Sequence, residues 1–426
     1  MSNRKKVRLG DLAASGRSVI SGPFGSDIGK RFFQNNGVPV IRGNNLTTDY
    51  RKFVDGGFVF LTKTKADELN ADAVEGDILF TAAGTIGQVG MIPKDASYKR
   101  YVISNKQLRF RVDSNKADPD FVYAWLASPW IFQTIKNRNT GSTVPLINLG
   151  IIRSLTVDLP DKISEQQKIA AVLSALDAKI ECNNRINAEL EAMAKTLYDY
   201  WFVQFNFPDH NGQPYKSSGG KMVYNPTLKR QIPAGWHHSN ILAVADLFGG
   251  GTPTKKSAEY WNGDIPFFTP TDADGNIFKF STKDSITENG LKNSSTRLFE
   301  ENTVFITARG SVGKLVLAGN KMAMNQSCYA FRSKKGISHT YLFFLVKELI
   351  NHLKVKSSGS VFDSIVSNDI ECTSLIIPDP AVIKKFALLA DPVFERIANA
   401  TRENQHLTQL RDWLLPMLMN GQVMVV

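Results

Sequence analysis

Two kinds of apolar pattern alternate along this chain. Short apolar runs bounded by turn-forming residues predict strands over 38–42, 77–81, 88–92, 108–112 and 155–159, and again over 265–269, 303–307, 315–318 and 375–377. Wider spacing predicts helices. After Asp118-Pro119, the residues Phe121, Trp125, Phe132 and Ile135 recur at roughly helical spacing, and Leu342, Leu345 and Leu349 do so within 341–353. The longest periodic signal follows Ser164, a residue suited to cap a helix. Positions 169, 173, 176, 180, 183, 187, 190, 194, 197 and 201 read Ile, Leu, Leu, Ile, Asn, Asn, Leu, Ala, Leu and Trp, in alternating steps of four and three. That is a coiled-coil seam carrying Asn183 and Asn187.

The pattern is written twice. Ile78-Leu-Phe-Thr81-Ala-Ala-Gly84-Thr85-Ile-Gly87 returns as Val304-Phe-Ile-Thr307-Ala-Arg-Gly310-Ser311-Val-Gly313, shifted by 226 residues (304 − 78). Gly141-Ser142 with Pro160-Asp161 returns as Gly359-Ser360 with Pro378-Asp379, shifted by 218 (359 − 141). The seam returns 217 residues on (404 − 187) as Phe386, Ala390, Val393, Ile397, Ala400, Asn404, Leu407, Arg411, Leu414 and Leu418. Pro392 and Pro416 are expected to start, kink or end that second helix. These offsets lie near half of the 426 residues, so one ancestral unit was duplicated. The period is far too long for a solenoid. Two copies of one module suggest a partner with two related sites.

The expected fold is α+β, with two mixed α/β globular modules in pseudo-two-fold arrangement separated by two long antiparallel coiled-coil helices. Its segments are a first module over 1–160, a long helix over 161–205, a linker rich in turn formers over 206–235, a second module over 236–380 and a C-terminal helix over 381–426. The seam asparagines Asn183, Asn187 and Asn404 would set helix–helix register, since only one alignment gives a buried amide its partner. Residues 165–203 would span about 58 Å as a helix. Antiparallel pairing would hold the modules at opposite ends of a rod and present them in opposite orientations, as two half-sites of a duplex require. The plainer alternative is two helices packing inside one ordinary core.

Composition narrows the class. Apolar residues make up 42% of the chain, enough for real cores, and no apolar run reaches the roughly eighteen residues of a membrane span. The start, Met1-Ser-Asn-Arg-Lys-Lys, lacks the apolar stretch of a signal peptide. Cys182, Cys328 and Cys372 are scattered and odd in number, which fits neither a disulfide framework nor a zinc site and points to a reducing cytoplasm. A net charge of +11 favours a polyanionic partner.

The helical segment Ser164-Glu-Gln-Gln-Lys-Ile-Ala-Ala-Val-Leu-Ser-Ala-Leu-Asp-Ala-Lys-Ile180, running into Asn183-Asn-Arg-Ile-Asn-Ala-Glu-Leu-Glu-Ala-Met193, resembles the central region of type I restriction-modification specificity (S) subunits, the HsdS family. Tyr198-Asp-Tyr-Trp-Phe202 and Ile232-Pro-Ala-Gly-Trp236 share that resemblance. It implies a non-catalytic DNA-recognition subunit in which each globular target-recognition domain reads one half of a bipartite duplex sequence. It further implies that the helices set the unread gap and dock two methyltransferase subunits (HsdM), which methylate adenine at N6 with S-adenosylmethionine. Two restriction and translocase subunits (HsdR), using ATP and magnesium, would complete the complex. The chain itself is expected to bind no cofactor or metal and to contact no membrane.

The chemistry sought in the chain agrees. The Pro-Pro-aromatic loop of an adenine methyltransferase is missing, since Asn225-Pro226 runs into Thr227. Gly310-Ser-Val-Gly313-Lys314 has part of a phosphate loop, but Ala308 replaces its first glycine and Leu315 its metal-binding hydroxyl. The six histidines form no His-Glu-x-x-His arrangement, and neither Pro119-Asp120 nor Pro160-Asp161 is followed by the Glu-x-Lys of a magnesium nuclease.

Base readout needs Arg for guanine and Asn or Gln for adenine on exposed loops, while phosphates need Lys, Arg, Ser, Thr and free amides. The candidates in the first module are Ser26, Arg42, Asn44, Asn45, Arg138, Ser142 and Thr143; those in the second are Thr252, Thr271, Asp272, Arg309, Lys356 and Ser360. For each, a plain turn is the competing reading. For the chain as a whole, the alternatives are a coiled-coil assembly scaffold without sequence-selective DNA binding, and a degenerate enzyme with a nucleotide site at Gly310–Lys314.

Overall fold

The computed structural model describes residues 3–47, 51–141, 143–356 and 364–425. The chain divides into two compact units, Met1–Ile180 with His406–Val426, and Glu181–Gln405. Both mix helix and strand, and their sheets follow one plan.

The first unit contains a four-stranded antiparallel sheet in the order Val19–Ser21, Gln107–Phe110, Ile78–Thr81, Val89–Met91. A second sheet runs Val59–Leu61, Val38–Ile41, Tyr101–Ile103, Asp72–Ala73, its middle pair parallel. The strand Ile78–Thr81 explains why its sequence is an unbroken apolar run. Ile78 and Phe80 join a core with Phe110 and Phe121, while Leu79 joins another with Val40 and Val102. Both faces of the strand are therefore covered. Just before it, the fully buried Asp77 receives two bonds of 2.7 Å from the Arg111 guanidinium.

Where the sequence predicts one helix after Asp118-Pro119, there are two, Pro119–Leu126 and Pro129–Asn137. Pro129 has no N–H with which to continue the first, and its constrained φ suits the start of the second.

The second unit repeats the plan. Its five-stranded sheet runs Ala245–Gly249, Cys328–Ser333, Val304–Thr307, Leu315–Ala318, Phe278–Lys279, with only the last pair parallel. A three-stranded sheet runs Asp284–Ile286, Trp261–Phe268, Ala323–Met324. The alternation recurs. Val304 and Ile306 face a core with Phe331 and the helix His339–Lys356, and Phe305 faces Phe268 and Met322. Within 206–235 lies a hairpin, Met222–Asn225 with Arg230–Pro233, and Phe207 stacks on Trp236 at 4.9 Å between ring centres. Each unit also pairs an early strand with the strand preceding a long helix: Arg4–Arg8 with Thr156–Pro160, and His237–Ser239 with Leu375–Ile377.

The first long helix is Ile163–Tyr198, continued by a π-helical turn over Asp199–Val203. Ser164 falls inside its first turn and so is not the cap. The second long helix is Pro380–Met419. All twenty seam positions are buried or half-buried; none is exposed. In the second unit, Asn183 Nδ2 donates to Asn404 Oδ1 and to Glu403 Oε2, each at 2.8 Å, and Asn187 Nδ2 donates to Thr401 Oγ1 at 3.2 Å. One helix number rises as the other falls, so the pairing is antiparallel. In the first unit, Arg411 at a seam position donates to Asp177 Oδ1 at 3.1 Å.

Of the expected outcomes at Pro392 and Pro416, neither a start nor an end is found, since the second helix runs through both. Pro392 is exposed, and the carbonyl it deprives of a donor belongs to Leu388, itself exposed and within reach of water. Pro416 lies in the final turn, where Asn420 N still bonds its carbonyl at 3.0 Å. Among the described residues, no helix is long and apolar enough to cross a membrane.

Candidate nucleic-acid interface

In the first unit, five loops are bonded to one another. Gly22 N donates to Gln107 O at 2.9 Å, Ser104 N to Ile41 O at 3.0 Å, and Ala82 N to Lys106 O at 2.7 Å. Ile147 N then donates to Ala82 O at 2.9 Å, which seats the loop after Arg138. Gln88 ties in the last loop, accepting from Thr81 Oγ1 at 2.8 Å and donating to Leu46 O at 3.0 Å.

The second unit keeps three of these framework bonds. Asn325 N donates to Phe268 O at 3.0 Å, Ala308 N to Ser327 O at 2.8 Å, and Ile365 N to Ala308 O at 2.9 Å. The approach of the first loop is also the same. A Cβ on Gly22 would lie 1.8 Å from Ser104 O, and one on Gly250 would lie 2.0 Å from Asn325 O. Only glycine fits either place.

The repeated Gly-Thr/Ser-Ile/Val-Gly motif is the turn between two of these loops. Gly84 and Gly87 have φ of +90° and +94°, and Gly310 and Gly313 have +78° and +81°. A Cβ at Gly87 would meet the Phe132 ring at 2.7 Å, and one at Gly313 would meet Ile350 at 3.0 Å. Turn geometry and helix packing account for both glycine pairs. Lys314 Nζ is bound to Ala273 O at 2.8 Å, so the chain uses that amine to tie off a loop.

The candidate residues separate by burial. Asn45 is fully buried: its oxygen accepts from Arg42 N at 2.9 Å, and its amide donates to Val54 O and Gly56 O, each at 2.9 Å. Asp272 is its counterpart, also buried, accepting from Thr269 N at 2.8 Å, Thr269 Oγ1 at 2.7 Å and Lys283 N at 2.9 Å. Both hold their turns together and leave no group for a base edge, a correction to the sequence reading. Their neighbours Asn44 and Thr271 are exposed at the same turn. Arg42 is half-buried, with Nη2 on Gly57 O at 3.1 Å.

Ser26, Arg138 and Thr143 are exposed; Arg138 Nη1 donates to Ser154 Oγ at 2.9 Å. Arg309 is exposed on the turn beside Ser364. Thr252 bonds the Gln326 side chain, and Lys356, at a helix end, reaches Thr373 Oγ1 at 3.5 Å. Ser142 and Ser360 lie outside the described residues.

The framework also exposes residues that sequence reasoning missed, Asn105 and Lys106 in the first unit and Gln326 in the second. A usable signal existed: Ser104-Asn105-Lys106-Gln107 and Asn325-Gln326-Ser327 are polar breaks between apolar strands, repeated at an offset of 221 (325 − 104). At equivalent places the chemistry differs. Exposed Asn44 stands where the other unit has exposed Thr271, half-buried Ala83 where it has exposed Arg309, exposed Asn105 where it has exposed Gln326, and exposed Lys106 where it has half-buried Ser327. Amides and cations on a pinned backbone suit base edges and phosphates.

Among the described residues, no group of three or more His, Cys, Asp or Glu could hold a metal ion. Cys328, the buried cysteine beneath this framework, has its thiol pushed up to about 12 by burial, so it is inert as a nucleophile near neutral pH.

The family model described as "Type I restriction modification DNA specificity domain" matches residues 1–192 and 233–409. The chain is 26% identical over 355 residues to the type I restriction enzyme MjaIX specificity subunit of Methanocaldococcus jannaschii, covering 82% of this chain and 78% of the relative. It is 24% identical over 401 residues to the HindI specificity subunit of Haemophilus influenzae, covering 82% and 87%. In fold it is similar to the S subunit of a type I restriction-modification system from M. genitalium, at a TM-score of 0.58 and 15% identity, over 98% of this chain and 96% of that one.

Proposed function

The chain belongs to the type I restriction-modification DNA specificity family and is a specificity subunit of that class, and from that premise we propose that each unit reads one half of a bipartite DNA target. The observation that carries this reading is the conserved loop framework bearing unlike side chains. Equal hydrogen bonds at Ala82 and Ala308, and at Ser104 and Asn325, hold loops whose residues differ at four matched places, at least one member of each pair being exposed. One scaffold with two sets of readers is what two unlike half-sequences require. Asn44 and Asn105 are the adenine-type readers of the first unit, with Lys106 and Arg138 on phosphate or guanine. Thr271, Arg309 and Gln326 serve the second.

The subunit performs no chemistry in this proposal. Two adenine-N6 methyltransferase subunits carry S-adenosylmethionine, and two restriction subunits carry ATP and magnesium. The antiparallel helices set the unread gap and dock the methyltransferases. Exposed apolar side chains on the second helix support that docking role. Leu388 is 71% exposed in the second unit and Trp413 63% in the first, an unusual cost for helix surface without a partner.

The test is selection from random duplex pools by the subunit assembled with its methyltransferase. The expected product is a single gapped motif, and Asn44→Ala should relax bases in one half only. Selection of no motif, or equal relaxation of both halves, would refute the proposal.

A further inference from the structure

Phe24 is 84% exposed, more than any other large apolar side chain among the described residues. Isolated exposed apolar residues are ordinary on protein surfaces, so exposure alone says little. What sets Phe24 apart is how rigidly its loop is held and what surrounds it. Upstream, Gly22 N is bonded to Gln107 O at 2.9 Å, in an approach so close that no side chain fits at Gly22. Downstream, Asp27 N bonds the Phe24 carbonyl at 3.0 Å, and Arg31 Nη2 bonds Ser26 O at 3.3 Å. A Cβ on Gly25 would touch Asn105 Nδ2 at 3.1 Å, so the backbone next to Phe24 runs beside a proposed reader. Lys30, Arg31 and Lys106, on this loop and on the one it is bonded to, are exposed.

We infer that Phe24 is a wedge that inserts partway between stacked base pairs where the first unit meets its half-site, bending the duplex there. The inference rests on the DNA-reading proposal above and adds a residue and a mode to it. Apolar side chains flanked by phosphate-binding cations are the means by which proteins unstack a base step, and the deformation lets more of the protein surface reach the duplex. A flexible loop would lose the benefit to ordering entropy, whereas this one is already pinned on both sides. At the matched position the second unit has no counterpart. Counting from the matched glycines Gly22 and Gly250, the place of Phe24 is taken by Thr252, whose hydroxyl is bound to Gln326. The wedge therefore acts at one half-site only.

The experiment uses the full subunit assembled with its methyltransferase, and duplexes carrying the selected motif with 2-aminopurine placed singly through both halves and their flanks. The wild type should brighten the probe at one step in the first unit's half, apart from the adenine that is methylated. Phe24→Ala should abolish that signal and weaken binding about ten- to one-hundred-fold, with base preferences elsewhere unchanged. Phe24→Trp should keep both. Melting temperatures should match the wild type, because the ring is exposed. An alanine variant with unchanged affinity and an unchanged signal would overturn the wedge while leaving base reading intact. Loss of signal equally in both halves would overturn it too. A wild type that selects no duplex at all would bring down both proposals together.

Discussion

Asn44 and Asn45 are adjacent and chemically identical, yet one is exposed and the other fully buried, and the proposed function gives them opposite roles. Asn45→Ala removes three hydrogen bonds, from Arg42 N and to Val54 O and Gly56 O, all at 2.9 Å in a fully buried place. At about 1 kcal/mol net for each bond, the turn should lose roughly 3 kcal/mol. By that reasoning, local opening of 42–57 becomes about 100-fold more frequent. Asn44→Ala, on an exposed position, should change stability by less than about 0.5 kcal/mol. The assay is peptide-resolved amide hydrogen exchange across 42–57, run beside competition between duplexes that differ in one half-site. Asn45→Ala should accelerate exchange and weaken binding to every duplex alike. Asn44→Ala should leave exchange as it is and change preference within one half-site. If Asn44→Ala accelerated exchange, or Asn45→Ala altered preference with exchange unchanged, the division of labour would be wrong.

The buried carboxylate of the same unit makes a second prediction: Asp77→Ala removes two bonds of 2.7 Å from Arg111 and one of 2.9 Å from Val74 N, and leaves the buried Arg109 guanidinium without the carboxylate 3.9 Å away, which at about 1 kcal/mol net for each bond should cost roughly 3 kcal/mol in urea unfolding, whereas Lys321→Ala, in an exposed pair with Glu300, should cost almost nothing. Glu348, half-buried and receiving a bond from Tyr198 at 2.9 Å, has its carboxyl pushed above the ordinary value of 4.5 by partial desolvation. The folded state therefore holds this proton more tightly than the unfolded chain does, so stability falls as pH rises from about 4.5 through the raised value. Glu348→Gln should remove that decline in a series of melting temperatures against pH. On the second long helix, Trp413→Asp should leave the melting temperature alone but reduce methyltransferase affinity by about 30-fold or more in a pull-down titration; unchanged affinity would place docking elsewhere.

The parts of the fold legible in the sequence were those where burial leaves a periodic mark. Ile78–Thr81 and Val304–Thr307 are apolar throughout because both faces are covered, and the seam kept its spacing over two long helices. The strand Arg4–Arg8 leaves no apolar mark because it is polar, and its distant partner at 156–160 defines it. The repeat also cannot reveal contacts. Asn187 and Asn404 are equivalent by duplication, but antiparallel packing brings Asn183 to Asn404 and Asn187 to Thr401. At the interface, loop composition flagged the turn at 42–45 but could not separate its two asparagines. What buries Asn45 is the pair of carbonyls at Val54 and Gly56, nine and eleven residues further on. Phe24 gave no polar signal at all, and only its exposure on a pinned loop makes it visible.

The central claim is that this chain delivers one bipartite specificity to an adenine methyltransferase. Its most direct test is a single-molecule methylome of cells with and without the gene, at fixed methyltransferase levels. The account predicts that deletion erases methyladenine from one gapped motif, on both strands, and from no other. A methylome unchanged by deletion, in cells where the assembled complex is present, would contradict it.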